Sequence, residues 1–470
     1  MRFFVFGTGR FYRNRREQLL KCMQDDTCIG FLDNHRTGNF EGKPIYVPED
    51  GVLLPFDSIL LMSTSAMEMC NQLLRLGVSG DRILFWKDVL PKENSGKLRV
   101  NAGRRPSSKG KKILIVTQAL AYNGGAMAAV YAGKALRSKG YEVVIATSMI
   151  DSRLLQETRE MGLTIIECSV FPYVFSGERA WIEWFDIVLV NVFPMMVSAI
   201  EISKFRPVLW WIHESEDRYT EQYSHTRTTY PQYADLPGIR ARIFAVSPIA
   251  EKAFEKFYPH HLDGSLPYGI PDTYQKLAKN VDHLLTMALL GEVTYLKAQR
   301  DFLNAISILS GKLRFRCKFY IIGRVHEGVE YDQDVLGMAR QFPEVCMTGV
   351  LTRRELQELY PNLDVIVSPS YVDSLPIAVT EGLMNKKICI VSDATGQAQG
   401  IIHDGENGFI CKAGNPASLA EKMTHVIEHF DELGSMREKA RKTYEQYFSM
   451  EAFGERLERE LLLTEREYWE

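Results

Sequence analysis

The chain has 470 residues, of which 46% are hydrophobic and 24% charged, and its formal net charge is −3. This is an ordinary globular balance, and it gives no support to nucleic-acid binding. A chain of this length is too long for a single core, so we expect three domains of about 100 to 200 residues each.

Eight cysteines are scattered without a CxxC pair or a Cys/His cluster. This usage is typical of reduced core thiols in a cytosolic protein, and it predicts no metal site. The opening run MRFFVFGTGR is too short for the hydrophobic region of a signal peptide and is typical of a first strand. No uncharged stretch reaches the roughly 18 residues that a membrane span needs. These features together predict a cytoplasmic protein.

Residues 1–90 are predicted to form a Rossmann-like accessory domain, because a strand, a glycine turn, a helix and a second strand follow one another. Gly7 and Gly9 match two glycines of G-x-G-x-x-G, but Tyr12 stands at the third. Asp33 closes the second strand, where it could bind a ribose or an amine, or simply cap a turn. The passage from Gly30 resembles small domains found beside bacterial sugar-modifying enzymes. The sequence assigns this domain no reaction.

Residues 91–111 are predicted to be a basic linker, because they are rich in Gly, Ser, Pro and Lys/Arg and carry a single acidic residue. The positive charge of residues 91–112 could also hold the protein near anionic lipid headgroups, where each basic residue contributes about 1 kcal/mol. A solvated linker is the simpler interpretation.

Residues 112–275 begin with another strand, loop, helix and strand, and Gly124 and Gly125 stand where the loop meets the helix. Glycine there lets the backbone approach a diphosphate, although a turn with positive φ would also require it. His213 follows the apolar strand VLWWI and is placed either to reach a ligand or to pack between domains.

Within residues 276–440, two carboxylates flank a predicted helix start. Asp373 would lie in the loop after a buried strand, and Glu381 inside the helix that Pro376 opens. Both would face the crevice at the carboxyl end of the strand, where open α/β sheets bind ligands. An isolated Asp-x7-Glu is also compatible with an ordinary acidic helix start.

This segment resembles the retaining glycosyltransferases of the large family-four group. The resemblance spans roughly residues 112–460 and rests on Pro369-Ser370, Asp373, Ser374-Leu375-Pro376, Glu381-Gly382-Leu383-Met384, the strand ending at Asp393, and the turn Asp404-Gly405-Glu406-Asn407-Gly408-Phe409. It implies an α/β fold of the GT-B type, with two Rossmann-like lobes facing a cleft. Residues 112–275 would be the acceptor-side lobe, residues 276–440 the nucleotide-sugar donor lobe, and residues 441–470 a helix crossing back to the first lobe.

The resemblance also implies roles for the two carboxylates and a lysine. Glu381 would bind the ribose, and Asp373 the donor sugar, beside Ser374, Leu375 and Pro376. The spacing from Gly291 to Lys297 matches the family's G-R-x-x-x-x-K-G phosphate site, so Lys297 would contact the diphosphate.

Other family positions are matched less closely. Glu292 stands where relatives have arginine, and Arg324 or Arg300 would have to supply the missing charge. His213 resembles the family's strand-end histidine, and Gly124 and Gly125 the loop that faces the donor phosphate. The turn containing Val350 and Leu351 would hold the nucleobase through its backbone. Tyr268 replaces the asparagine of a P-N-G segment, where we expect it to alter local turn chemistry.

The implied reaction moves a sugar from a nucleotide-sugar, with a UDP-sugar favoured, to a glycan or lipid-linked acceptor in surface polysaccharide synthesis, without metal or cofactor. Peripheral contact with the inner membrane face is part of this hypothesis. Two alternatives remain: another GT-B enzyme such as an epimerase or phosphorylase, or a non-catalytic nucleotide-sugar sensor or partner subunit. The sequence leaves the oligomeric state open.

Overall fold

A computed structural model describes most of the chain. The described residues are 1–13, 15–63, 66–89, 98–103, 110–169, 171–174, 176–216, 219–220, 223, 233, 235–236, 238–258, 262–275, 284–326 and 328–470. They form three sheets in chain order, each built mainly of parallel strands. Most of the predicted basic linker lies outside the described residues.

The first sheet has the order β3-β4-β2-β1-β5-β6. Its strands are β1 (Arg2–Phe6), β2 (Thr27–Leu32), β3 (Gly38–Phe40), β4 (Lys43–Tyr46), β5 (Ser58–Leu61) and β6 (Ile83–Phe85). Its helices are α1 (Arg10–Arg13), α2 (Arg16–Cys22), α3 (Pro48–Gly51), α4 (Ala66–Arg75) and α5 (Trp86–Val89), with a 3₁₀ turn at Gly80–Arg82. The predicted first helix is therefore divided into two short pieces, and buried Tyr12 packs edge-on against Phe31 and Phe40.

The second sheet has the order β14-β13-β12-β11-β8-β9-β10-β7. Its strands are β7 (Leu98–Asn101), β8 (Lys112–Thr117), β9 (Glu142–Thr147), β10 (Thr164–Cys168), β11 (Ile187–Asn191), β12 (Val208–Ile212), β13 (Ala241–Ala245) and β14 (Gly264–Ser265). Its helices are α6 (Gly124–Ser138), α7 (Ser152–Glu160), α8 (Ser176–Ile182), α9 (Met196–Ser203) and α10 (Pro248–Phe257), with a 3₁₀ turn at Phe193–Met195. Strand β7 lies inside the segment predicted as a linker, and it pairs antiparallel with β10.

The third sheet has the order β17-β16-β15-β18-β19-β20. Its strands are β15 (Leu285–Leu290), β16 (Cys317–Ile322), β17 (Val345–Gly349), β18 (Val365–Ser368), β19 (Ile388–Ser392) and β20 (Phe409–Cys411). The helices are α11 (Gln299–Ile308), α12 (Gly311–Arg314), α13 (Glu330–Ala339), α14 (Arg353–Leu359) and α15 (Ile377–Met384), with 3₁₀ turns at Tyr295–Lys297, Tyr360–Asn362 and Gly396–Ala398.

The chain ends in α16 (Pro416–His429), a 3₁₀ turn at Phe430–Leu433, α17 (Gly434–Tyr447) and α18 (Met450–Trp469). Helix α18 packs on the second sheet, where the Phe453 ring stacks on Trp211 at 5.6 Å. A Cβ on Gly269 would lie 2.6 Å from the Cβ of Phe453, so only glycine fits beneath this helix. The last helix therefore joins the third-sheet lobe to the second.

Central strands of the second and third sheets are buried along their whole length, as in β11, β12, β18 and β19. Continuous apolar strands are typical of parallel sheets that helices cover on both faces. The cysteines form no disulfides, and Cys70, Cys168, Cys317, Cys389 and Cys411 are buried, which fits the predicted core thiols. None of the described helices combines the length and apolar composition that a bilayer crossing requires.

Candidate functional site

Three loops of the third sheet meet at its carboxyl edge. A Cβ on Gly323, whose φ is +158°, would stand 1.9 Å from the carbonyl oxygen of Gly291, so the loops after β15 and β16 touch through their backbones. The N–H of Gly323 donates to the carbonyl of Gly349 at 3.0 Å, which adds the loop after β17. A side chain at Gly323 would separate these loops.

Lys297 ends the 3₁₀ turn that follows β15, and its side chain runs over Gly291, whose Cβ position lies 3.6 Å from the lysine Cε. Its ammonium group pairs with the carboxylate of Asp373. The lysine side chain is 31% exposed and the aspartate 14%, so a ligand can reach both. The structure thus joins Lys297, predicted to contact the diphosphate, and Asp373, predicted to bind the donor sugar, in one ion pair.

Asp373 is held by its backbone on both sides. Its N–H donates to the carbonyl of Ala394 at 3.1 Å, and its carbonyl accepts from the N–H of Gly396 at 2.9 Å. The carboxylate therefore projects from a fixed loop toward Lys297, which favours precise placement of a ligand between them.

Glu381 lies on helix α15, with Pro376 at the N-cap position rather than inside the first turn. The buried hydroxyl of Tyr360 donates to the carboxylate of Glu381 at 2.7 Å. Burial, reinforced by this carboxylate, raises the pKa of Tyr360 well above its ordinary value. Both side chains line a small pocket together with Ile270, Pro271, Thr273, Leu356, Gln357 and Met384. Tyr360 carried no signal in the sequence.

Gly124 and Gly125 open helix α6 at the carboxyl edge of the second sheet, and the side chain of Asn123 caps the helix by accepting from Ala126 at 3.0 Å. A Cβ on Gly124 would lie 3.7 Å from the Cδ1 of Ile377 at the start of α15. The predicted glycine loop therefore faces the helix of the third sheet that carries Glu381.

Asn191, at the end of β11, anchors this glycine loop. Its amide nitrogen donates to the carbonyl of Gly125 and to the hydroxyl of Thr117, both at 3.0 Å. The next residue, Val192, has φ +70° and ψ 152°. A β-branched side chain rarely adopts positive φ, and such strain is concentrated at functional sites. Sequence reasoning did not single out either residue.

His213 lies just past β12, with its ring 4.5 Å from the ring of Trp211. Its Nε2 is shielded from solvent and has no hydrogen-bond partner among the described residues. Burial lowers the pKa of His213 to about 3, so the ring is neutral near pH 7. Strand order places His213 between the loops after β11 and β13, at the same sheet edge as Gly124.

The segment Ser374-Leu375-Pro376 is fixed by donors from both lobes. The Ser247 hydroxyl, which caps α10, donates to the carbonyl of Ser374, and the Tyr268 hydroxyl donates to that of Leu375 at 2.8 Å. Gln397 donates from its amide to the carbonyl of Pro376 at 2.9 Å. Tyr268 is thus a direct contact between the lobes, whereas the sequence predicted only a changed turn.

Ser374 itself keeps a free polar atom. Its hydroxyl is buried and has no hydrogen-bond partner among the described residues. Because buried polar groups are normally paired, an orphan hydroxyl beside the Lys297–Asp373 pair points to a ligand position.

The remaining predicted residues lie around the same edge. The carbonyl of Arg324 accepts from the N–H of Val293 at 2.8 Å, which places Arg324 beside the Gly291–Gly323 contact. Val350 is exposed and Leu351 half-buried in the loop after β17. Arg300, a candidate for the missing charge, instead lies 3.6 Å from Asp334.

Glu292, which stands where the motif has arginine, is paired with a histidine in the structure. Its carboxylate lies 2.9 Å from the Nε2 of His326, a residue that the sequence analysis did not select. The only available signal was its place shortly after the strand ending at Gly323. Within the described part of the chain no group of three His, Cys, Asp or Glu side chains is arranged to hold a metal ion. The absence of a cofactor stays a prediction.

Comparison with known proteins relates the third sheet to a family. Residues 275–443 match the family model described as glycosyl transferases group 1, so the chain carries a domain of that kind. It is 28% identical over 153 residues to EpsD of Bacillus subtilis, provisionally named a glycosyltransferase, covering 32% of this chain and 39% of EpsD.

A second relative is the N,N'-diacetylbacillosaminyl-diphospho-undecaprenol alpha-1,3-N-acetylgalactosaminyltransferase of Campylobacter jejuni, which is 25% identical over 150 residues, or 32% of this chain and 37% of that enzyme. The chain thus matches under two fifths of the length of either relative.

Among solved structures, Anabaena HepE in complex with UDP and glucose is similar over 75% of this chain and 100% of its own, with a TM-score of 0.61 and 15% sequence identity. This likeness confirms the predicted GT-B architecture.

Proposed function

We propose, starting from a group 1 glycosyltransferase domain within a GT-B fold, that this chain transfers a sugar from a nucleoside-diphosphate donor to a hydroxyl acceptor and retains the configuration at the anomeric carbon. The observation that carries the proposal is the ion pair of Lys297 with Asp373 at the cleft, where both groups remain reachable from solvent. Such a pair offers a cation to a phosphate and a carboxylate to hydroxyl groups in one place.

The donor would lie along the edge of the third sheet. Glu381 would accept hydrogen bonds from the ribose hydroxyls, with Tyr360 fixing its carboxylate. Asp373 would accept from the sugar hydroxyls, beside the free hydroxyl of Ser374. Each charge-assisted bond contributes about 1.5 to 3 kcal/mol in such a site. The exposed loop at Val350 and Leu351 would receive the nucleobase.

In the reaction the bond between the anomeric carbon and the phosphate oxygen breaks, and the diphosphate leaves with the electron pair. Lys297 stabilises the negative charge that develops there, which a neutral side chain could not do. The acceptor hydroxyl forms the new bond on the same face of the sugar, and its proton passes to a phosphate oxygen. The chain's own cations and helix starts would make a metal unnecessary.

Gly124 and Gly125 lie opposite the start of α15, where their backbone would approach the phosphate or the acceptor. His213, held neutral by burial, would present Nε2 to a donor-sugar hydroxyl from the facing lobe. Closure of the two lobes over the donor would exclude water and limit hydrolysis.

The UDP ligand of HepE favours a UDP-sugar donor, and the lipid-linked substrate in the name of the Campylobacter relative favours a glycan or lipid-linked acceptor. We place the protein in surface polysaccharide or glycoconjugate synthesis in the cytoplasm, with peripheral contact through residues 91–112 at the inner membrane face. Vesicle binding of a variant with Gln and Ser in place of those basic residues tests the last point.

Calorimetric titration of UDP, GDP, ADP and dTDP tests the donor site. One nucleotide should bind the wild type and lose most of its affinity in Glu381→Ala. The matched control is Glu358→Ala, which removes an exposed carboxylate from α14. If no nucleotide binds, or if both variants bind as the wild type does, the ribose role of Glu381 is wrong.

A non-catalytic nucleotide-sugar sensor is the second candidate, because Glu292 replaces the expected arginine and Asp373 neutralises Lys297. Donor binding without transfer to any acceptor and without slow hydrolysis would favour it. Nuclear magnetic resonance of the product anomer would establish retention.

A further inference from the structure

The sheet edge that carries Lys297 also carries a second polar group, the hydrogen-bonded triad of Glu292, His326 and Asp332. The Nε2 of His326 is 2.9 Å from a carboxylate oxygen of Glu292, and its Nδ1 is 3.1 Å from Asp332. The backbone N–H of His326 donates to the same oxygen of Asp332 at 2.6 Å. The histidine is therefore held between two carboxylates.

This triad and Lys297 are both positioned by the backbone contact between Gly291 and Gly323. Glu292 directly follows Gly291, over which the Lys297 side chain runs, and His326 follows Gly323 by three residues. Because Gly291 and Gly323 touch, the lysine and the histidine belong to one carboxyl edge of adjacent strands. A diphosphate on Lys297 would therefore lie at the same sheet edge as His326.

The two carboxylates of this triad differ in exposure to solvent. Asp332 is buried, and its second oxygen has no hydrogen-bond partner in the described part of the chain. Glu292 is 51% exposed and His326 37% exposed. Asp332 therefore holds the His326 ring from its buried side. The exposed carboxylate of Glu292 has room to turn toward solvent when another anion binds.

The number of N–H groups on the imidazole ring decides how many of these carboxylates His326 can donate to. A neutral imidazole has one N–H and can donate to one carboxylate only, whereas the charged ring donates from both nitrogens. Carboxylate oxygens lie at both nitrogens of His326, so a ring with a proton on each nitrogen would donate to both. The carboxylate of Glu292 thus lies at Nε2 of His326, where the phosphate of a bound nucleotide would lie in a complex.

We propose that His326 is the second cation of the diphosphate site, in the place that the arginine of G-R-x-x-x-x-K-G would fill. Asp332 is its positioning residue, and Glu292 is the internal anion that a bound diphosphate displaces. This inference rests on the proposed function, and it adds a residue to the donor site that the motif does not predict.

Calorimetric titration of His326→Gln with UDP and with uridine tests the role. A charge-assisted contact to phosphate predicts that UDP binds about tenfold or more weakly while uridine is unaffected. The control is His425→Gln, an exposed histidine of α16 on the same lobe, which should bind both ligands as the wild type does. Equal loss for UDP and uridine, or no loss for UDP, would overturn the proposal.

Two further variants test the proposal even if His326→Gln does not fold. Glu292→Gln removes the competing carboxylate and should bind UDP several-fold more tightly, with uridine unchanged. Asp332→Asn should weaken UDP selectively, because the ring loses its orientation. If Glu292→Gln leaves UDP affinity unchanged or reduces it, the displacement step is wrong. If the wild type binds no nucleotide at all, the proposed function fails as well, which is a different outcome from selective failure here.

Discussion

Replacing Lys297 with methionine removes the positive charge and keeps most of the side-chain volume. We expect two separate effects, because the ammonium group pairs with Asp373 in the ligand-free structure and would contact the diphosphate in the complex. The loss of a charge-assisted hydrogen bond of about 1.5 to 3 kcal/mol corresponds to a roughly 10- to 150-fold weaker affinity for UDP. Uridine, which has no phosphate, should bind unchanged.

The second effect is on stability. Asp373 is 14% exposed, so Lys297→Met leaves a mostly buried carboxylate without its partner. An unpaired buried group costs about 1 to 3 kcal/mol, with the lower end expected here because some solvent remains. The double variant Lys297→Met/Asp373→Asn removes that charge as well, so it should regain most of the free energy of unfolding while UDP affinity stays low.

The assay combines urea unfolding with calorimetric titration of UDP and uridine for the wild type, both single variants and the double variant. If UDP affinity survives in Lys297→Met, the lysine does not bind the diphosphate. If uridine affinity falls in parallel with that for UDP, the lysine acts through the fold and not through the phosphate. If the double variant regains affinity along with stability, the same conclusion holds.

Three other substitutions test separate parts of the site. Tyr360→Phe removes the hydrogen bond to Glu381 and should cost about 1 to 3 kcal/mol in unfolding free energy, with weaker binding of both UDP and uridine in calorimetry. Ala298→Gly should stabilise the protein by about 0.5 to 1 kcal/mol in urea unfolding, because Ala298 has φ +56°; Ala305→Gly, within the following helix, should destabilise it. His213→Gln should remove part of the acid sensitivity of unfolding. The folded pKa of His213, about 3, lies below the unfolded value near 6.5, so the unfolded chain binds the proton first and stability falls by up to about 1.4 kcal/mol per pH unit from pH 6.5 downward.

Each of these tests has an outcome that contradicts it. Unchanged nucleotide affinity in Tyr360→Phe would separate Glu381 from the ribose. A less stable Ala298→Gly would mean that the gain in unfolded-state entropy outweighs the relief of backbone strain. A His213→Gln variant whose unfolding free energy depends on pH as the wild type does would show that the histidine is not held neutral in the folded state.

The fold could be predicted because parallel strands that are buried on both faces have continuous apolar sequences. Each such run is followed in the sequence by a loop and an amphipathic helix. Thr352 and Glu355 form a capping box, a local feature of the same kind, because the two residues stand three apart at the start of a helix. What depended on distant contacts was not predictable. Tyr12, in the first of the two short helices, packs on the distant Phe31, and β7 pairs with the edge of β10.

The same division applies to the site. The spacing of Asp373 and Glu381 could be read from the chain, because a strand, a loop and a helix follow in order. The partners that hold them could not, since Ser247 and Ser374 are 127 residues apart and meet only when the lobes pack together. A tyrosine 21 residues before Glu381 carries no sign that its hydroxyl will reach that carboxylate. Tertiary contacts of this kind have no sequence period.

Two departures from the family pattern, Glu292 and Tyr268, each make a contact with a residue from elsewhere in the chain. Glu292 meets His326 where an arginine would have been, and Tyr268 donates across the lobes to the carbonyl of Leu375. A third departure, Ala298, has a left-handed backbone after Lys297, where the motif has glycine, so its strain remains in the folded protein. An uncompensated loss would leave an unpaired charge or a void at these positions. Because the polar groups of Glu292 and Tyr268 are instead paired, these two substitutions change how the cleft would hold a diphosphate and leave its architecture intact.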